Sequence, residues 1–230
     1  MKILATATMV TAAMMLATGC SSKKEEKKTP ELSSVMEENI TKDSVNKHIT
    51  EWPEASKKAT KFMMDKYGLP DGVTDETLVW TEVGPYARSV VYKEEIPHHF
   101  PREHTDVLEH TINYQAPTSD TVGQIWDFDG SVILDRTKGE MSARCDREEA
   151  NILALNLAHE IVQGERSVEE ARIEYGRQIT AMLDGNPSYY TKTLVFSPAD
   201  DKAGDPDHSI VDKLRKEGSG PMEAQEFDYE

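Results

Sequence analysis

The chain is short of cysteine, of cations and of long apolar runs, and each shortage removes a class of explanation. Only two cysteines, Cys20 and Cys145, occur among 230 residues, so a framework of disulfides cannot stand in for a hydrophobic core as it does in small secreted scaffolds. Lysine and arginine number 26 against 42 aspartates and glutamates, a formal net charge of −16. Such a balance argues against nucleic acid as a partner, because phosphate recognition depends on clustered Lys and Arg. It also opposes adsorption to an anionic membrane surface. No apolar run reaches the roughly 20 residues of a membrane span. A Gly-rich phosphate loop, a G-x-S-x-G elbow, an H-E-x-x-H helix and a sustained heptad are all missing. The 37% of hydrophobic residues is concentrated in the central half of the chain and suffices for one ordinary core.

What is present begins at the front. Residues 1–19 carry a single cation, Lys2, then an apolar stretch over 3–16, then small residues, which is the layout of a secretory signal peptide. The following Ala17-Thr18-Gly19-Cys20 resembles a bacterial lipobox. That resemblance implies cleavage before Cys20, acylation of its thiol and attachment of the chain to a membrane through lipid. By similarity to sorting signals, Ser21 implies the outer membrane, facing the periplasm. Ordinary cleavage after Gly19, which would release the chain without lipid, is the alternative. Loss of the leader removes one lysine and no acid, leaving a formal charge of −17. With Cys20 acylated, Cys145 has no partner for an internal disulfide. Residues 20–49 are expected to form the lipidated terminus and a flexible tether, of which the polar stretch 21–34 spans on the order of 20 Å.

Periodicity predicts the elements of the region 50–197. A weakly periodic stretch over 35–49 suggests a short helix. A helix over 51–67 places Trp52, Ala55, Ala59, Phe62, Met63 and Tyr67 on one face and stops at Gly68. Strands follow at 77–83 and 87–94 around Gly84-Pro85, then a proline-bounded loop over 96–102 and a strand over 109–115. Strands at 124–128 and 131–135 flank Asp129-Gly130, a two-residue hairpin signal, and a further strand is expected near 141–145. Two helices close the domain. The first, over 147–163, is apolar round more than half of its circumference and stops at Gly164; the second opens at Ser167 with Glu170 in capping-box spacing. A short connection makes them an antiparallel pair. An edge strand over 191–196 and a mostly disordered acidic tail over 198–230, with a short helix near 210–214, complete the reading. The expected fold is α+β, an antiparallel sheet packed against an N-terminal helix and a C-terminal antiparallel helix pair.

Within residues 50–95, the order of helix, Tyr67-Gly68-Leu69-Pro70-Asp71, Leu78-Val79-Trp80 and second strand resembles the small outer-membrane lipoproteins of the SmpA/OmlA type. The resemblance implies a helix-then-sheet unit and a role beside other envelope proteins; fold likeness does not carry function. His98-His99-Phe100-Pro101 and Asp129-Gly130-Ser131-Val132-Ile133 also look like bacterial secreted proteins with no assigned function, a resemblance that implies no activity.

Four of the seven histidines, His98, His99, His104 and His110, fall within thirteen residues together with Asp106. Neutral imidazole and carboxylate are suitable ligands for a divalent metal such as zinc, and a loop could gather His98, His104 and Asp106, with His110 a further candidate. The bland alternative is a polar loop whose histidines bond turns and backbone carbonyls. Cys145, just ahead of a helix, is a candidate nucleophile because a helix N-terminus lowers a thiol pKa; Asp146 opposes this, and free cysteines are commonly buried. Asn156 and His159 on the apolar helix read as a structural polar network. Asp127-Phe128-Asp129-Gly130 fails as a calcium loop, since Ile125 and Arg136 would occupy the first and twelfth positions. The leading expectation is a non-catalytic envelope lipoprotein that binds a protein or a small ligand, without a cofactor. A metal- or cysteine-dependent enzyme centred on residues 98–110 is the alternative.

Overall fold

Alternating burial along the middle of the chain produces one antiparallel sheet of six strands. They are β1 (Gly72–Val73), β2 (Thr77–Val83), β3 (Tyr86–His98), β4 (His104–Asn113), β5 (Val132–Asp135) and β6 (Glu140–Cys145), arranged β1-β2-β3-β4-β6-β5. This computed structural model describes residues 40–117, 120–200, 205 and 207–218. The leader, Cys20, Ser21, the tether up to residue 39 and parts of the acidic tail lie outside the described residues. Helices and an antiparallel sheet in one chain give the expected α+β class.

The helices form where the 3.6-residue period and local caps agree. In α1 (Lys42–His48), Thr41 and Ser44 make a reciprocal capping box. Val45 and Ile49 are buried, so packed chain begins ahead of residue 50. Next, α2 (Glu54–Tyr67) lies across β3 and β4 and buries Ala59, Met63 and Met64. The longest apolar helix, α4 (Glu148–Gln163), packs on β6 and β4 and ends at Gly164 in the left-handed conformation. Its neighbour α5 (Val168–Leu183) starts from the Ser167–Glu170 capping box. Leu153, Leu155, Leu157 and Ile161 of α4 are fully buried with Ile112, Met141 and Ala143 of the sheet. Each contributes roughly 2 kcal/mol through removal of its side chain from water. A second cluster joins Trp52, Met63, Leu78, Trp80, Val91 and Leu108. Lys66 and Tyr67 of α2 both donate to the buried Glu148 carboxylate in the first turn of α4, linking the two clusters.

Three expected elements differ. Residues 124–128 are not a strand: a 3-10 turn (Asp120–Gln124) leads into α3 (Ile125–Phe128). Ile125 and Phe128 are buried three residues apart while Trp126 is 88% exposed, which is helical spacing and not alternation. Residues 191–196 form no strand either, because their backbone groups are taken up by a side chain of α4. Asn156 Nδ2 donates to the carbonyls of Tyr190 and Thr193, both at 2.9 Å, and its Oδ1 accepts from Val195 N at 2.9 Å.

The third difference makes the site. Residues 96–98, expected in a loop, are strand, and the strand expected from 109 begins already at His104. The register between β3 and β4 shifts between Val91 and Ile96, and a bulge of this kind lets a strand bend and continue. β2 has its last partner at Tyr92, so Pro97, with no N–H to donate, interrupts no ladder on that side. Beyond the described sheet, α6 (Ile210–Lys216) falls where the short tail helix was expected.

Candidate metal centre

The β3–β4 register places His98 directly opposite His104, and the two-residue repeat of a strand places Asp106 on the same face as His104. The ligand atoms of His98, His104 and Asp106 all lie within 4.8 Å of one another. His104 Nδ1 is 2.8 Å from the Arg102 carbonyl oxygen, so a neutral ring donates there and presents its Nε2 lone pair inward. That Nε2 lies 3.1 Å from Asp106 Oδ1 and 3.1 Å from Cys145 Sγ. The His98 ring sits between two carboxylates, with Nδ1 3.3 Å from Asp106 Oδ2 and Nε2 3.5 Å from Asp129 Oδ1.

Of these contacts, the one between Cys145 Sγ and His104 Nε2 is aligned as a hydrogen bond, whereas the histidine–carboxylate approaches are ion-pair contacts. His98 Nδ1, Asp106 Oδ1 and Asp129 Oδ2 are buried with no hydrogen-bond partner, a costly condition for polar atoms. A lone pair on Nε2 facing a carboxylate oxygen is repulsive unless a proton or a metal cation stands between them. The proton affinities follow this logic. Burial alone would lower the pKa of His104, but Asp106 and the Arg102 carbonyl outweigh it and hold it above the usual value. Burial would likewise raise Asp106, yet His104 and His98 hold its carboxyl below the usual range. With bonds of about 2.0–2.1 Å, ligands of a tetrahedral zinc ion stand about 3.3 Å apart, close to the separations found here. Asp129 Oδ1 is itself fixed by Ser131 N and Oγ, both at 2.8 Å. It is thereby set to orient His98 from outside the ligand set, as carboxylates commonly do for metal-bound histidine.

Family models, curated proteins and solved structures all fail to match the chain.

His110 does not join the cluster. Four residues beyond Asp106, roughly 13 Å along the strand, its ring stacks on Tyr86 at 4.0 Å and its Nδ1 lies 2.7 Å from Ser89 Oγ. Burial first, then Lys66, pushes its pKa down to about 3, so it is a neutral core histidine and not a ligand. His99 is exposed beside Glu103. Cys145, the candidate nucleophile, does meet a histidine. However, the residue is 5% exposed, and burial first, then Asp146, raises its thiol pKa well above the usual value. Both features oppose a free thiolate. His159 bonds Tyr114 at 2.9 Å and stacks on Phe196, and Asn156 holds the 190s segment, so both are structural.

Asp129 escaped the sequence reading. Its pairing with Gly130 marks a turn, and nothing in the local spacing shows that the turn returns to the end of β3. A cavity of about 430 Å³ was also not foreseen. It lies against His104, with apolar walls from Ala55, Ala59, Phe62 and Leu108 and with Lys58, Glu149 and the Asp146 carboxylate, paired to Arg102 and Arg147, around it. Among the described residues, no helix is long and apolar enough to cross a membrane.

Proposed function

We propose that this protein is a metal-binding lipoprotein of the bacterial envelope, attached to the outer membrane through Cys20 and facing the periplasm. It holds one divalent transition-metal ion through His98, His104 and Asp106. The observation that carries the reading is the buried trio itself: three ligand atoms within 4.8 Å, two of the three residues with a buried polar atom lacking a hydrogen-bond partner. Two imidazoles and a carboxylate suit zinc better than magnesium or calcium, which prefer sets made of oxygen. The binding module expected from sequence thus acquires a ligand of stated chemistry.

Metal titration tests this reading. Chelator-stripped mature protein should take up about one Zn²⁺ per chain by calorimetry and elemental analysis, and a His98→Ala/His104→Ala double variant should take up none at the same concentration. Failure of the wild type to bind, or equal uptake by the double variant, would overturn it. The anchor is tested in the same preparation: Cys20→Ser should move the protein from the membrane fraction to the soluble one.

A second reading, a metal-dependent enzyme, draws support from the cavity beside His104. Its walls are apolar with charged groups of both signs at the edge, Lys58, Arg102 and Arg147 against Asp146 and Glu149, which suits a small amphiphilic molecule. It requires a coordination position left open to that cavity, since catalytic zinc keeps one site for water or substrate.

A further inference from the structure

We infer that Cys145 is the fourth ligand, bound as thiolate, so that the ion is held in a closed Cys-His-His-Asp sphere and is selected from the soft end of the divalent series. This inference rests on the metal reading above.

The contact with His104 carries it: Cys145 stands outside the mutually close set of His98, His104 and Asp106, and its sulfur would close on the ion from beside His104. His104 Nε2 has two neighbours, Asp106 Oδ1 and Cys145 Sγ, each at 3.1 Å, so the thiol flanks the same lone pair as a proposed ligand. Sulfur and nitrogen on a tetrahedral zinc ion stand about 3.6 Å apart, about half an ångström more than the 3.1 Å found. Cys145 closes β6 and pairs in register with Leu108 of β4, two residues from Asp106, so the sheet itself places the sulfur. An independent observation points to a bound cation at the same spot: Asp106 is 3% exposed, and its Oδ1, which faces that same nitrogen, has no hydrogen-bond partner.

On one side of the sulfur there is no room for another occupant. The space bounded by Pro101, Cys145, Ala150 and Tyr175 is about 10 Å³, at or below the volume that admits one water. A fourth position that takes neither water nor substrate is the mark of a structural or storage site. Binding displaces the Cys145 thiol proton to solvent as the sulfur–metal bond forms. A thiolate beside two imidazoles and one carboxylate favours Zn²⁺ and Co²⁺ over Mn²⁺, and excludes Mg²⁺ and Ca²⁺ at comparable concentration.

Cobalt distinguishes this inference from the reading beneath it. Full-length mature chain carrying Cys20→Ser, which leaves Cys145 as the sole thiol, is stripped with chelator and titrated with Co²⁺. We expect one equivalent to bind, with strong visible ligand-field bands of a tetrahedral ion and a near-ultraviolet sulfur-to-cobalt charge-transfer band. Adding Cys145→Ser should abolish the charge-transfer band, leave ligand-field absorption at higher Co²⁺, and weaken Zn²⁺ binding at least tenfold. Ligand-field bands without charge transfer in the Cys145-containing chain would overturn the assignment of Cys145 and leave the three-residue site standing, with a position open. No Co²⁺ binding at all would overturn both. Because the decisive spectrum belongs to a chain that keeps Cys145, it does not depend on the folding of a Cys145 variant.

Discussion

His104 and His110 sit on one strand, six residues apart, an even spacing that turns both toward the same face of the sheet. Their chemistry diverges because of what the neighbouring strands place opposite them. His104 meets Asp106 and is held above the usual imidazole pKa; His110 meets Ser89 and the ring of Tyr86, and burial lowers it to about 3. The spacing of histidines offers His98 and His104 with Asp106, and His110 as a further candidate, and His110 is set apart by the register of β3. The consequence for His110 is a pH dependence of defined sign. Folded, it stays neutral down to about pH 3, whereas unfolded it takes up a proton near 6.5. Its contribution is therefore fully present above pH 6.5 and lost as pH falls through the window from 6.5 toward 3, where the unfolded chain binds the extra proton. Urea melts from pH 7 to pH 4 should show wild-type stability falling more steeply than that of His110→Gln, by on the order of 1 kcal/mol per pH unit. His104 acts with the opposite sign but is common to both chains, so the difference isolates His110. Equal slopes would show that the ring is solvated and not a neutral core group.

Elements whose signal is local were legible, and those decided by a distant partner were not. α4 and α5 carry their period, a capping box at Ser167 and a stop at Gly164 within their own sequence, and they fall within a residue or two of expectation. β3 was cut short at 94 because Pro97 reads as a terminator. Its tolerance depends on β2 having ended opposite Tyr92, which no window around Pro97 contains. The trio of His98, His104 and Asp106 was expected to be gathered by a loop, and it is the paired ends of β3 and β4 that assemble it. The segment 191–196 shows the reverse error. Its residues suit a strand, but Asn156 of α4 reaches its backbone first and holds it as an irregular strap. One amide thus satisfies two carbonyls and one N–H, and Asn156→Ala leaves all three without that partner. At about 1 kcal/mol or more for each such group, the variant should lose about 2–4 kcal/mol in urea melts. It should also be cut faster by protease between residues 189 and 197, while the α4–sheet core stays protected. A loss below about 0.5 kcal/mol would mean that the strap is held by Leu194 and Phe196 and not by the amide.

At the scale of the molecule, the candidate ligands tie together parts of the fold that have no covalent link. His98 ends β3, His104 and Asp106 open β4, and Asp129, behind His98, lies between α3 and β5. All of these strands belong to one sheet, so an ion held there should act on global unfolding and not on a single loop. The chain differs from a zinc finger, which is unfolded without its metal. Of two apolar clusters, one lies apart from the proposed ligands and the other meets them only at Cys145, so the metal-free protein should remain folded with an unchanged far-ultraviolet spectrum. Zinc should then raise the melting temperature. At a free concentration a hundredfold above Kd the gain is about 2.7 kcal/mol, which in a domain of this size corresponds to about 5–10 °C. A melting shift is also the measurement that separates a specific site from the acidity of the chain. With 42 aspartates and glutamates, loosely bound ions could inflate any stoichiometry, but ions held equally by folded and unfolded chains do not stabilise either. The His98→Ala/His104→Ala variant keeps every carboxylate and should show no shift with zinc, while chelator should return the wild type to its metal-free melting temperature. A similar shift in both chains would place the binding on surface acids and remove the site.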